Sequence, residues 1–291
     1  MDDPRYIQSD LAMERRGTDG ESEGIEYEET KRGGFLLTRL RIKNKAGERT
    51  IGRPRGNYVT LSVGKPWLMS EEQLEAAEDL LCREIGDMAK KICDCKSVLV
   101  AGLGNRAITA DALGPLVTDD LVITRHVRLH EKKLFDSLFC CEVASLAPGV
   151  LAQTGIETLE LIRGAVERVR PELVIAVDAL AARGVDRLAT TVQLCDTGIA
   201  PGSGIGNTRS ALDRESLGVP VMAIGVPTVV NSSTLVRDAL ELGGINDISP
   251  GLEEVLENGR SFFVSLKESD VAVRELAGLI SRAINRTFCE C

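Results

Sequence analysis

Short apolar runs alternate with segments of helical periodicity along this chain, and that alternation leaves few folds open to it. Residues 97–101, 173–177 and 221–227 are such runs, rich in Val, Ile, Leu and Ala, and they suit strands that are buried on both faces. Residues 71–92 and 269–288 instead repeat apolar side chains at helical spacing. The pattern predicts an α/β fold, with a mostly parallel sheet flanked by helices.

The same reasoning assigns the remaining elements. The apolar residues of 121–129 and 187–196 predict two more strands, and 154–170 predicts a helix that a proline stops. A further helix is predicted after Asn231. Together these elements supply enough apolar surface for one sizeable core.

An additional β-hairpin is predicted before the first helix. Apolar residues alternate in 33–44 and 56–63, and turn residues stand between them at 45–47. The preceding stretch is dense in Asp, Glu, Gly and Ser, so it lacks the apolar surface that would order it. We therefore expect a mobile arm over residues 1–30 and a single α/β domain over 31–291.

Charge and apolar content exclude several classes of function. The formal net charge of −9 disfavours a nucleic-acid binder, because phosphate contacts need a basic face. There is no run of about 18 apolar residues and the first residues are acidic and polar, so neither a membrane span nor a secretory signal is predicted. We expect a cytoplasmic protein without nucleic-acid or membrane partners.

The eight cysteines do not predict a metal site. Six of them stand in C-x-C or adjacent pairs, whereas zinc sites usually use C-x₂-C. The other two lie in apolar segments, where cysteine packs as a small apolar side chain.

Polar residues follow three of the predicted strands, at the edge where open α/β sheets bind ligands. Asp111 follows one strand, Asp178 follows another, and a third such stretch carries Asp196, Asn207 and Arg209. Two carboxyl groups held close together share one proton, so one can take a proton from water while the other protonates the scissile group. Each aspartate could equally cap a short helix. Position alone leaves both interpretations open.

Two other chemistries have partial motifs. Residues 102–105, GLGN, form half of a dinucleotide fingerprint, and 202–206, GSGIG, form a second glycine loop, which together would suit a nucleotide-binding regulatory protein. His126 could join the two aspartates as a metal ligand of a metal-dependent protease, or support a carboxylate through a hydrogen bond. Neither motif is complete, so we predict no cofactor and no metal.

Several long motifs in this chain resemble those of one family, the germination proteases of spore-forming bacteria. The match covers nearly the whole sequence and is carried by SDLAMER at 9–15, VAGLGN…TADALGP through Asp111, AVDALAAR around Asp178, DTGIAPGSGIGNTR from 196 and GVPTVVN from 225. Members of that family are endopeptidases that degrade small acid-soluble spore proteins.

The resemblance implies more than the residues alone do. It implies the fold of the hydrogenase-maturation proteases, a homotetramer in the forespore or spore core, and no required metal or organic cofactor. It implies that Asp111 and Asp178 are the catalytic pair. It also implies a zymogen that removes its own N-terminal propeptide by cutting after Glu14, at the bond to Arg15.

Such self-processing would require SDLAME, residues 9–14, to occupy the substrate groove. We expect an extended backbone there, with Asp10 and Glu14 meeting basic groups while Leu11 and Met13 fill apolar pockets. The candidate basic groups are Arg125, Arg183 and Arg209.

Overall fold

The computed structural model describes residues 9–15, 23–138, 140–201, 210–245, 248–258 and 262–289. Within them nine strands form one sheet in the order β1-β2-β3-β7-β8-β6-β4-β5, and β9 pairs with the end of β8. The strands are β1 Ile25–Arg32, β2 Phe35–Ile42, β3 Gly56–Ser62, β4 Ser97–Gly102, β5 Glu142–Leu146, β6 Leu173–Ala182, β7 Thr191–Cys195, β8 Val221–Asn231 and β9 Phe263–Val264.

Helices cover both faces of this sheet. They are α1 Lys45–Ile51, α2 Glu71–Ile92, α3 Leu113–Asp119, α4 Arg125–His130, α5 Lys132–Leu138, α6 Leu151–Thr154, α7 Thr158–Val169, α8 Arg214–Leu217, α9 Ser232–Leu242, α10 Pro250–Asn258 and α11 Ser269–Cys289. No helix in the described part of the chain is long and apolar enough to span a membrane.

The sheet is mixed, which refines the predicted architecture. Strands β8, β6, β4 and β5 are parallel to one another, whereas β1, β2, β3 and β7 add to the sheet in antiparallel fashion. The α/β class, the flanking helices and the N-terminal hairpin are confirmed. The sheet is parallel only in its second half, and within its first half the two-residue turn between β1 and β2 requires antiparallel pairing.

Alternate residues of β6 show how the two helical layers attach. Leu173, Ile175 and Val177 pack in the cluster that contains α2, α3 and α11, whereas Val174 and Ala176 pack with α7. Successive side chains of a strand point to opposite faces, so α7 lies on the face opposite α2 and α11. Both faces of β6 are therefore buried, which is why its sequence shows no polar alternation.

The N-terminal region differs from the prediction in two places. The expected turn at 45–47 begins helix α1 instead, because the Asn44 side chain accepts hydrogen bonds from the N–H groups of Ala46 (3.0 Å) and Gly47 (3.1 Å). Strand β1 lies mostly within the stretch predicted as a mobile arm. Its partly buried Ile25 and Tyr27 pack against a cluster that includes apolar residues of β2 and β3.

The strand predicted over 121–129 is wrong. The chain there is irregular up to Thr124 and then forms α4, and the strand beside β4 is β5. Thr124 joins the two segments, since its hydroxyl donates to Cys141 O (2.6 Å) and accepts from Val143 N–H (2.8 Å). The position beside β4 is thus taken by β5, and residues 121–129 pack next to β5 without forming a strand.

Candidate active site

Asp111 and Asp178 line the same cavity, which has a volume of about 420 Å³. Its walls come from the loop after β4, the middle of β6, the Thr228 region of β8 and the first residue of α7. The two predicted aspartates therefore belong to one site, although 67 positions separate them in the sequence.

A tight loop holds Asp111 at this cavity. Residues 109–111 form a single 3-10 turn, the N–H of Asn105 donates to Asp111 Oδ2 (2.8 Å), and the Thr228 hydroxyl donates to Ala110 O (2.6 Å). Gly104 has a φ of +107°, and a Cβ there would lie 2.1 Å from Asp111 O. The loop needs glycine at this position to pass so close to Asp111.

Asp178 lies inside β6 rather than at its end. The predicted strand end at 177 is wrong, because β8 continues alongside β6 as far as Val230 and pairs Gly225 with Asp178. Asp178 is 5% exposed, and its Oδ1 accepts a hydrogen bond from Ala179 N–H (2.9 Å).

Neither aspartate is placed as a helix cap. The residue at the N-cap of α3 is Ala112, and no helix begins after Asp178 because the strand continues. The capping interpretation that position alone left open is therefore wrong for both. A carboxylate placed in the middle of a buried strand costs free energy, which favours a functional reason for Asp178.

Three amides in and directly after the GLGN loop already bond to acceptors of the protein itself. Leu103 N–H donates to Val177 O (2.8 Å), Asn105 N–H donates to the Asp111 carboxylate, and Ala107 N–H donates to Asn105 Oδ1 (3.0 Å). In a nucleotide-binding loop such amides point to the phosphate instead. The loop instead ties β4 to β6 directly before Asp178.

The segment Ser9 to Glu14, called the acidic segment below, packs at the rim of this cavity. Asp10 lines the cavity and pairs with Ala181 of β6 through two hydrogen bonds, from Asp10 N–H to Ala181 O (2.8 Å) and from Ala181 N–H to Asp10 Oδ2 (3.0 Å). The expected extended backbone is wrong for its second half, because residues 12–15 form one 3-10 turn.

Apolar burial fixes the middle of the acidic segment. Leu11 is fully buried against a cluster made by Leu180, Ala182, Leu188 and Val230. Met13 is partly buried against the same cluster. The apolar pockets expected from the sequence are thus present.

Of the predicted basic groups that the structure describes, the guanidinium groups of Arg125 and Arg183 bind neither Asp10 nor Glu14. Arg53 Nη2 donates to Asp10 Oδ1 (3.0 Å), and the backbone N–H groups of Arg183 (2.7 Å) and Gly184 (3.0 Å) donate to Glu14. The Arg183 guanidinium instead pairs with two acidic residues of α9, Asp238 and Glu241. Burial raises the pKa of Asp238, and the bond from Arg183 acts against that rise.

Three other predicted residues lie away from the cavity. Arg125 pairs with the buried Glu142 (3.1 Å), and its neighbour His126 is exposed on α4. Asp196 accepts hydrogen bonds from Asn57, from its N–H (2.8 Å) and from its side-chain amide (2.5 Å), and so joins β7 to β3. The residues that line the cavity include none of Arg125, His126 and Asp196.

Asn207 and Arg209 lie outside the described residues, as does the GSGIG loop, and of Arg15 only the backbone is described. Among the residues that the structure does describe, no three or more His, Cys, Asp or Glu side chains form a group that could hold a metal ion. A metal-dependent mechanism through His126 would need that residue at the cavity.

No local sequence pattern marks Arg53, Gln193 or Thr228 as residues near the cavity. Arg53 lies between a glycine and a proline in a turn, and its partner is 43 positions away. Gln193 lies in the middle of a buried strand, which predicts a structural role. Their contacts depend on how β3, β7 and β8 come together, which no local pattern encodes.

Comparison with known sequences decides the family. A family model described as germination protease matches residues 5–243. The chain belongs to the germination protease family. Among similar proteins, the germination protease of Caldanaerobacter subterraneus subsp. tengcongensis is 39% identical, covering 96% of this chain and 93% of its own length. That of Clostridium acetobutylicum is 36% identical over 96% of this chain and 85% of its own. That of Bacillus velezensis is 41% identical over 81% of this chain and 66% of its own.

Among solved structures, the [NiFe] hydrogenase maturation protease HycI from Thermococcus kodakarensis KOD1 is 17% identical with a TM-score of 0.38, covering 69% of this chain and 99% of that one. A TM-score this low supports no inference about the chain. The fold class given above follows from the sheet itself.

The motifs that carry the germination protease resemblance converge on the cavity. TADALGP contains Asp111, AVDALAAR forms the middle and end of β6, and GVPTVVN forms the part of β8 beside it. SDLAMER contains the acidic segment at the rim. Motifs that are far apart in the sequence therefore make one surface in the fold.

Proposed function

We propose that this chain is an endopeptidase of the aspartic type, in which Asp111 and Asp178 activate a water molecule. The observation that carries the proposal is that Asp111 and Asp178 line one cavity and that a peptide segment of the same chain lies at its rim. Membership of the germination protease family supports the same reaction and a role in spore germination.

The proposed chemistry needs one proton shared by the pair. The ionised carboxyl takes a proton from water as the water oxygen attacks the peptide carbonyl carbon, and the protonated carboxyl gives its proton to the carbonyl oxygen. Collapse of the intermediate then breaks the C–N bond, and the amine leaves with a proton from the pair. No atom beyond the two carboxyl groups and water is required.

We further propose that the chain is a zymogen and that its propeptide ends at Glu14. Support comes from the acidic segment, which packs against β6 as a bound peptide would. The proposed substrates are small acid-soluble spore proteins, and the proposed assembly is a homotetramer in the forespore or spore core. These finer points follow from the family resemblance.

The observed position of the acidic segment is not one in which the Glu14–Arg15 bond is cut. Glu14 binds the N–H groups of Arg183 and Gly184, which lie five and six residues after Asp178, directly beyond the end of β6. At about 3.3 Å per residue the first of these is roughly 16 Å from Asp178. Self-processing therefore requires the segment to leave this position first.

Mass spectrometry of the purified full chain tests the proposal. We expect the loss of the first fourteen residues, at the same rate with and without a chelator, and cleavage of an added small acid-soluble spore protein. Loss of both reactions in the chelator would favour the metal-dependent alternative. If the chain neither loses its own N-terminal residues nor cleaves the added spore protein, with or without the chelator, the proposal is contradicted.

A further inference from the structure

Six of the eight cysteines belong to close pairs, and four members of these pairs lie at one end of the molecule. Cys93 and Cys95 stand between α2 and β4, Cys141 directly precedes β5, and Cys289 is the last residue of α11. All four pack against the cluster that contains α2, α3 and α11. The fold thus brings together cysteines from three separate parts of the chain.

Cys93 and Cys95 form a disulfide, with a distance of 5.1 Å between their Cα atoms. They are only two positions apart in the sequence, so their bond restricts the unfolded chain little and stabilises the fold little. Both cysteines are partly exposed. Disulfides that reagents can reach are the ones that exchange readily, so this bond is suited to exchange rather than to a structural role.

The thiol of Cys141 lies beside this disulfide. Its Sγ donates a hydrogen bond to the carbonyl oxygen of Cys95 (3.2 Å). Strand pairing extends to this point, because Glu142 N–H donates to Lys96 O (2.8 Å), and paired strands lie about 4.8 Å apart. A disulfide joins residues whose Cα atoms are about 4.4 to 6.8 Å apart. Cys95 and Cys141 are therefore within reach of a bond between their sulfur atoms.

Two other cysteines are held in different surroundings. Cys289 Sγ donates to the carbonyl oxygen of Val122 (3.6 Å). Cys195 lies in β7, on the other side of the sheet from β4 and β5 in strand order, and burial raises the pKa of its thiol. A buried thiol that stays protonated is a poor nucleophile, which makes Cys195 a suitable control.

From this arrangement we infer that Cys93, Cys95 and Cys141 form a thiol–disulfide exchange site. The thiolate of Cys141 attacks Cys95 Sγ, the S–S bond to Cys93 breaks, and Cys93 leaves as a thiolate that takes up the proton lost by Cys141. One S–S bond forms as another breaks, so this step consumes no oxidant. A small-molecule disulfide oxidises the reduced site by the same chemistry and leaves as two thiols.

The exchange changes which part of the chain the disulfide encloses. Cys95 and Cys141 are 46 positions apart, and the ring closed by their bond contains β4, the turn with Asp111 and helices α3 to α5. A ring of this length restricts the unfolded chain far more than that of Cys93 and Cys95. The exchanged form should therefore resist thermal unfolding better.

The full-length Cys93→Ser variant tests the site, because it lacks the leaving sulfur and keeps Cys95 and Cys141. After reduction and removal of the reductant, it is treated with oxidised glutathione, quenched with acid, alkylated and mapped by mass spectrometry. We expect Cys141 to displace glutathione from Cys95, so that a Cys95–Cys141 bond is found. The melting temperature should rise by about 5 to 10 °C above that of the reduced variant.

A second substitution assigns the role of Cys141. With Cys141→Ser added, Cys95 should retain at least about tenfold more glutathione, because the sulfur that displaces it is lost. Cys195→Ser added instead should leave the result unchanged. In the wild type, incubation without reductant at mildly alkaline pH should yield both the Cys93–Cys95 and the Cys95–Cys141 peptide pairs, a measurement that needs no variant.

Three results would overturn the inference. They are retention of glutathione on Cys95 in the presence of Cys141, a bond from Cys95 to Cys140 or Cys289 instead, and a wild type that never yields the Cys95–Cys141 pair. None of these measurements depends on proteolysis, so a chain that exchanges its disulfide but cleaves no protein contradicts the proposed function alone.

Discussion

Asp111 and Asp178 reach one cavity from two different strands, and a single backbone hydrogen bond joins the supports of both. Leu103, in the loop that leads to Asp111, donates its N–H to the carbonyl oxygen of Val177, the residue directly before Asp178 (2.8 Å). The relative position of the two carboxyls therefore depends on backbone geometry rather than on flexible side chains. Changes to that backbone should affect the reaction more than they affect the fold.

Gly104→Ala should disturb Asp111 directly. The left-handed φ of +107° and the approach to 2.1 Å of Asp111 O predict a loss of about 1 to 3 kcal/mol of stability and a large loss of activity. Gly155→Ala is the matched control, since Gly155 also has a positive φ but has nothing within 4 Å of the added Cβ. Thermal unfolding and self-processing rates should separate the two, and equal activity in both would contradict the expected role of the loop.

Thr228 should act as a positioning residue for the turn that carries Asp111. Its hydroxyl donates to Ala110 O at 2.6 Å, and the residue is 4% exposed. Thr228→Val keeps the shape and removes the bond, so we expect kcat to fall about tenfold with KM unchanged, which corresponds to about 1.4 kcal/mol. Thr228→Ser should restore most of kcat. A change in KM alone would show that the hydroxyl contacts substrate instead.

Leu11→Ala should loosen the acidic segment while leaving the rest of the domain folded. Leu11 is fully buried, and truncation of such a side chain costs about 2 to 5 kcal/mol, which is comparable to the free energy that holds a short segment in place. Hydrogen exchange at Ala12, Arg183 and Gly184 should accelerate, because Ala12 N–H donates from the segment to Gln193 and the other two N–H groups donate to Glu14. Unchanged exchange at all three would mean that the polar contacts suffice.

Arg125 should prove structural. It pairs with Glu142, whose side chain is only 4% exposed, so Arg125→Met should lower stability by about 1 to 3 kcal/mol. The neighbouring Arg128 also pairs with Glu142 and limits the loss. Peptide affinity and kcat/KM should match those of the wild type. A raised KM at unchanged stability would return Arg125 to the list of substrate-binding residues.

The fold class could be predicted from the sequence because it depends on local patterns. The runs that became β4, β6 and β8 are almost entirely apolar, and α2 shows its apolar residues at helical spacing. Residues 121–129 misled the prediction, because an apolar segment of that length suits a strand as well as a short helix. The outcome is visible only in the fold, where Thr124 bonds to Cys141 and Val143 and α4 begins at Arg125.

The aspartate pair could be predicted in part, and the polar contacts of the acidic segment could not. The sequence placed each aspartate after a strand, yet it had β6 end before Asp178, because the length of a strand depends on its neighbour β8. The contact between Arg53 and Asp10 could not be predicted, since it forms only when residues 9–14 pack onto the domain. Long-range contacts of this kind have no periodic signal.

The proposed function requires Asp111 and Asp178 to act as one catalytic pair. The most direct test measures self-processing and cleavage of a small acid-soluble spore protein by the full-length Asp111→Asn and Asp178→Asn variants, with Asp136→Asn, an exposed carboxylate on α5, as control. We predict that each of the first two loses at least about a thousandfold in kcat, because neither carboxyl alone can both accept and donate the proton. Both should unfold cooperatively like the wild type, and the control should keep full activity. A folded Asp111→Asn or Asp178→Asn variant that cleaves at the wild-type rate would contradict the account.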